Sequence, residues 1–103
     1  MKVKSLLRNE STWVKHYYVQ GNRYCLMGAL QQCYLGDVGV SLRGNSEKLQ
    51  KFREARGKVE SAINELSRLH NVRHAVKPNI MSFNDNPRTT FKDIRKVILL
   101  ANV

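Results

Sequence analysis

Seven apolar residues, Leu49, Phe52, Ala55, Val59, Ala62, Leu66 and Leu69, recur at steps of three and four, which places them on one stripe of a helix spanning about 46–70, with Ile63 widening the stripe. A helix this apolar on one side has to bury that side, so the other segments are constrained to pack around it. Its ends carry matching chemistry. Asn45 or Ser46 can accept hydrogen bonds from the first free amides, Glu47 faces the positive end of the dipole, Arg68 and His70 face the negative end, and Asn71 is a suitable left-handed stop. Glu47 and Lys51, like Glu54 and Lys58, stand four apart in the favourable order, adding a few tenths of a kcal/mol per pair. Gly57 costs roughly 1 kcal/mol relative to Ala and marks a bend or a close helix crossing.

A second helix is predicted over Phe91–Ala101. Thr90 and Asp93 have the capping-box spacing, Phe91, Ile94, Val97, Ile98 and Ala101 share one side, and Lys92, Arg95 and Lys96 are left facing water. Nearer the N-terminus, Trp13, Val14, Tyr17 and Tyr18 have helical spacing behind a Ser11 or Thr12 cap, and Gly21-Asn22 breaks the run. Tyr24–Leu30 is continuously apolar, a pattern that buried strands and buried helices share; Ala29, Leu30, Gln31 and Gln32 favour helix, and Gly36 is placed to end it. Asp37–Gly44 reads as loop, with room for a short strand at Val38–Leu42. Val72–Arg88 holds both prolines and the turn-forming Asn84-Asp85-Asn86-Pro87, so it reads as a connection. The expected fold is mainly α: a compact single domain over 1–103, of four to five helices built around the long amphipathic one, with room for one short strand.

The longest apolar run uninterrupted by glycine, Val97–Ala101, falls far short of the roughly 20 residues needed to cross a bilayer. Met1-Lys2-Val3-Lys4 ahead of Leu6-Leu7 and Arg8 reads as neither signal peptide nor anchor, so no membrane partner is expected. Cys25 and Cys33 on one helix would lie roughly 12 Å apart along its axis. A disulfide needs Cα atoms within about 7 Å, so reduced thiols and a cytoplasmic setting are expected.

One set of residues has a recognisable order. Trp13 is followed by Cys25-Leu26-Met27-Gly28-Ala29-Leu30, then by Phe83-Asn84-Asp85, then by Thr90, Asp93 and Ile94 opening a last helix that closes at Ala101. This resembles a family of small uncharacterised proteins of bacteriophages and actinobacteria, whose pattern is an upstream Trp, Cys-Leu-x-Gly-Ala-Leu, an aromatic-Asn-Asp turn, and Thr-x-x-acid before the final helix. Phe83 stands where that pattern has Trp, and the long basic helix between the motifs is particular to this chain. The resemblance implies a phage-like context in a bacterial host cytoplasm and no assigned activity. It also implies that Trp13, Cys25, Gly28, Ala29, Asn84 and Asp85 form a structural motif, with Asp85 bracing the Cys25 helix.

Cys25 is the one plausible nucleophile, because a helix start and nearby Arg23 both lower a thiol pKa. A general base would come from His16, His70 or His74, with Asn84 or Asp85 as orienter; the plainer reading is a buried thiol packed beside Gly28. His70 and His74 have a metal-compatible spacing, but Asn71 ends the helix between them and no further ligand is near in sequence, so no metal and no cofactor are expected. Asn84-Asp85 ahead of Pro87 also suits an ordinary turn.

Charge gives the strongest functional signal. Eighteen Lys and Arg against eight Asp and Glu leave a formal charge of +10. Lys48, Lys51, Arg53, Arg56, Lys58 and Arg68 lie off the apolar stripe of the long helix. Lys92, Arg95 and Lys96 lie off that of the last, and Arg73, Lys77 and Arg88 fall between. Gathered by folding, they would present a positive face to nucleic acid or to an acidic surface of a host protein, in a phage setting for host-defence inhibition. The competing reading is a merely basic surface interrupted by Glu47, Glu54, Glu60 and Glu65. Tyr17, Tyr18, Trp13 and Tyr24 interleave with Lys15, His16 and Arg23, which suits base stacking as well as core packing. The expectation is a non-enzymatic binding protein, monomeric or a small homo-oligomer. The alternatives are a Cys25-dependent hydrolase or transferase, and a self-associating protein that pairs through the long helix.

Overall fold

The computed structural model describes residues 2–39, 41–44, 46–69 and 79–103, apart from the side chains of Arg68 and Leu69. In chain order these form α1 (Val3–Leu6), a 3-10 turn (Glu10–Thr12), β1 (Val19–Gln20), β2 (Arg23–Tyr24), α2 (Leu26–Leu35), α3 (Glu47–Leu69), α4 (Ile80–Asp85) and α5 (Phe91–Ala101). The fold is mainly helical. Its Cα radius of gyration is 12.9 Å, close to the ~13 Å of a compact chain of about 100 residues.

The long helix forms where the stripe predicts it. Ser46 Oγ accepts the Leu49 amide at 3.2 Å, and Leu49, Phe52, Ala55, Val59, Ala62, Ile63 and Leu66 are all buried. They meet α5 in the largest helix–helix interface and α2 in the next. Within one chain, α2 and α5 cover these residues of the stripe. Gly57 neither bends α3 nor admits a close crossing: a Cβ there would meet nothing within 4 Å. The last helix is closed at its start by the Thr90–Asp93 capping box and at its end by Asn102 in the left-handed conformation, φ 55°. On α2, Gly36 with φ 82° supplies the same stop.

Three further expectations need correction. Trp13–Tyr18 is not helical. The Asn9 side chain captures the Ser11 amide, the turn ends at Thr12, and the chain then runs extended so that Trp13 bridges Tyr24. An antiparallel hairpin follows, Val19 opposite Tyr24 and Gln20 opposite Arg23, with Gly21 at φ 63° in its turn. Residues 80–85 are helix rather than connection, because the Asn79 side chain accepts from the Met81 and Ser82 amides. The described part of 38–42 contains no strand. His70, Asn71, Arg73, His74 and Lys77 lie outside the described residues, as do Asn45 and the side chain of Arg68.

Candidate functional site

Asn84 is the point where the separated motifs meet. It is fully buried on α4, and its Oδ1 accepts from the Trp13 indole Nε1–H at 2.7 Å and from the Leu26 amide at 3.0 Å. Its Nδ2 donates to the Val14 carbonyl at 3.1 Å and to Asp85 Oδ1 at 2.9 Å. The indole N–H and the Leu26 amide are buried donors that would otherwise be penalised, and the Val14 and Asp85 bonds are part-buried. Asp85 Oδ1 also accepts the His16 amide at 2.8 Å, which holds His16 in the left-handed conformation, φ 71°. Gly28 is required by a close approach, since a Cβ there would land on the Tyr18 carbonyl. That carbonyl accepts the Cys25 amide at 3.2 Å. Trp13, Cys25, Gly28, Asn84 and Asp85 therefore surround one join between the N-terminal hairpin, α2 and α4, and Ala29 is buried in the adjoining core.

Cys25, His16 and Asp85 do share a cleft. It measures about 40 Å3 and is completed by Tyr17, Tyr18 and Met81, a volume for about one or two waters. The Tyr18 hydroxyl donates to Met81 Sδ at 3.2 Å across its mouth. His16 Nδ1 stands 3.8 Å from Asp85 Oδ2, with the His16 side chain 70% exposed. Cys25 is the N-cap of α2, its Sγ accepting the Gly28 amide at 3.2 Å. Burial pushes this thiol above its ordinary 9.0; the Gly28 and Met27 amides pull the other way, and the Asp85 charge raises it further. Arg23, expected to activate the thiol, is exposed and donates from Nε to the Ser11 carbonyl at 3.2 Å. The thiol is protonated at neutral pH and serves as a helix cap. Of the four aromatic residues considered for stacking, Trp13 and Tyr24 pack inward, while Tyr17 and Tyr18 are 57% and 42% exposed.

On α3 the cations are interrupted. Lys51 pairs with Glu47 at 3.3 Å and Arg56 with Glu60 at 3.6 Å, Arg56 also lies over the Phe52 ring, and Arg53 donates to the Leu42 carbonyl at 3.1 Å. Lys48 and Lys58 are exposed, as are Arg88, Lys92, Arg95 and Lys96. The clearest convergence lies elsewhere. Lys4 and Arg8, at and just beyond α1, meet Arg95 of α5 around a groove of about 160 Å3 floored by Leu7 and Ile98 and edged by Leu99. No carboxylate lines it, and none of the three cations makes an ion pair among the described residues. Lys4 and Arg8 escaped the sequence reading. Their signal was the four-residue spacing they share, one position on from the buried pair Val3 and Leu7.

A small helical protein with a buried asparagine join and a cationic groove is the class that these observations define. The chain belongs to a family of unknown function, DUF6197, whose model matches residues 2–102. No curated protein and no solved structure matches it.

Proposed function

We propose that this is a binding protein that docks an acidic macromolecule on a basic surface centred on the α1–α5 groove. The observation that carries the reading is the meeting of Lys4, Arg8 and Arg95, distant in sequence, around a groove that no carboxylate lines among the described residues. Lys92 and Lys96 extend the charge along the exposed side of α5. Like charges held this close repel one another, and an anionic partner relieves that repulsion. The resemblance to phage-encoded proteins supports a phage or prophage origin, with the partner in the bacterial host cytoplasm.

The test compares two double charge reversals of equal size. Lys4→Glu with Arg95→Glu disrupts the groove; Lys51→Glu with Lys58→Glu changes net charge identically on α3. Retention on immobilised heparin, read as the eluting salt concentration, is expected to fall markedly more for the groove variant. Equal losses would mean that net charge alone governs binding. Gel-shift titrations with duplex DNA, single-stranded DNA and RNA complete the comparison. A nucleic-acid partner touching six to ten phosphates would lose roughly three to five decades of affinity between 50 and 200 mM salt, and absence of a shift at 50 mM salt excludes that partner class.

A further inference from the structure

The groove is not purely cationic, and its apolar part is specific about the occupant. Leu99 on its edge is 61% exposed and Leu100 beside it 54% exposed, the two most exposed large aliphatic side chains among the described residues. Along the outer side of α5, Lys92, Arg95 and Lys96, then Leu99 and Leu100 follow at steps of three and four. The surface therefore turns from cationic to apolar within about two helical turns, roughly 10 Å. Leu100 and Ala101 also border a shallow groove against Gly57, Lys58, Ser61 and Glu65 of α3, so the apolar ridge is flanked on both sides.

A phosphate backbone has no apolar surface with which to cover two leucines. A protein segment has both parts, and interfaces between proteins commonly combine Arg with large apolar side chains at their centre. A bilayer is also anionic and apolar, but it fits convex protrusions rather than a groove whose cations stand around its rim. A second copy of this chain carries the same +10 charge, and repulsion between copies opposes that pairing.

We propose that the α1–α5 groove docks an acidic amphipathic helix of a partner protein, its carboxylates meeting Lys4, Arg8 and Arg95 and its apolar side chains covering Leu99 and Leu100. This rests on the binding function proposed above and names the partner class for the same site.

The experiment is a selection from a displayed library of random 16-residue peptides against the whole protein. Enriched peptides are then measured by fluorescence anisotropy beside a 20-nucleotide single-stranded DNA and vesicles containing phosphatidylglycerol. The inference requires that enriched peptides carry Asp or Glu together with Leu, Ile or Phe at helical spacing. It also requires that Leu99→Ser and Arg95→Ala each weaken binding by roughly tenfold, the effect of an interface residue worth about 1.4 kcal/mol. Both positions are exposed, and unchanged circular dichroism confirms the fold of each variant. Enrichment of peptides without carboxylates, no enrichment, or indifference to Leu99→Ser overturns the inference. DNA binding that needs Arg95 but not Leu99 overturns it and leaves the basic-surface function standing, as does vesicle binding without peptide binding. A dimer dissolved by Leu99→Ser reassigns the ridge to self-association. No salt-dependent binding to any probe ends both.

Discussion

The indole of Trp13 donates its N–H to the side-chain oxygen of Asn84 at 2.7 Å, across 71 residues of sequence and inside the core. The same oxygen holds the first amide of α2, and the other end of the Asn84 amide holds the Val14 carbonyl. Asn84→Ala strands all three groups. Each buried unpaired group costs about 1–3 kcal/mol, and since neighbouring losses overlap, a total destabilisation of about 3–5 kcal/mol is expected in urea unfolding. Asn84→Asp keeps the accepting oxygen but sets a second oxygen against Val14 and Asp85, so it too is expected to destabilise. A loss below about 1 kcal/mol for the alanine variant would contradict the role assigned to Asn84.

Two glycines in helices should respond in opposite directions. Gly28→Ala drives a methyl into the Tyr18 carbonyl, and backbone cannot yield there without moving the hairpin; overpacking of this kind costs about 1–3 kcal/mol or more. Gly57→Ala adds a methyl facing open space and should stabilise α3 by about 0.5–1 kcal/mol. Thermal unfolding of the two variants beside the parent is sufficient, with the midpoints expected on either side of it.

The thiols set a limit on stability at high pH. Burial pushes Cys25 and, less enclosed, Cys33 above the ordinary value of 9.0. Below pH 9 both states keep the proton, and this contribution is fully present. As pH rises beyond 9 the unfolded thiols ionise while the folded ones resist, so stability falls until the folded pKa values are passed. Urea unfolding at pH 8 and at pH 10 should show the loss, and Cys25→Ser should make it smaller. The same protonated, buried thiol predicts slow alkylation of Cys25 by iodoacetamide at pH 7.5 in the native protein and rapid alkylation in urea, read by mass spectrometry. Fast native labelling would restore Cys25 as a candidate nucleophile.

On α2, the Gln31 side-chain oxygen is buried with no hydrogen-bond partner among the described residues. Gln31→Met keeps the length and removes the unpaired acceptor, so a gain of about 0.5–1 kcal/mol is expected. Differential scanning calorimetry would register it as a higher Tm; an unchanged or lower Tm would mean that the amide has a solvated or protein partner.

The helices that periodicity could find were those whose local pattern and tertiary role agree. On α3 and α5 the described residues that repeat at helical spacing are the ones that pack inward, Phe91 half-buried among them, and Ser46 and Thr90 cap the helices from within the segment. Trp13–Tyr18 had equally helical spacing. There the decisive partner was Asn84, far away in sequence, which holds Trp13 and Val14 in an extended path that no local window contains. On α4 the signal was present in Asn79, whose side chain caps two amides, but the asparagines and proline around it read more readily as turn. Basic character was evident from composition. Its location was not, because the long helix, with more cations than any other helix, also holds acids that pair with two of them, while the acid-free groove depends on α1 lying beside α5.

The asparagine join bears on the order of assembly. The hairpin has only a four-residue ladder of its own, too little to persist alone in water, and the side chain that secures it lies 71 residues beyond Trp13. During synthesis the hairpin must wait for α4 to emerge, so it is completed after α2 and α3 are made, and any variant that weakens α4 should expose the hairpin to proteolysis first.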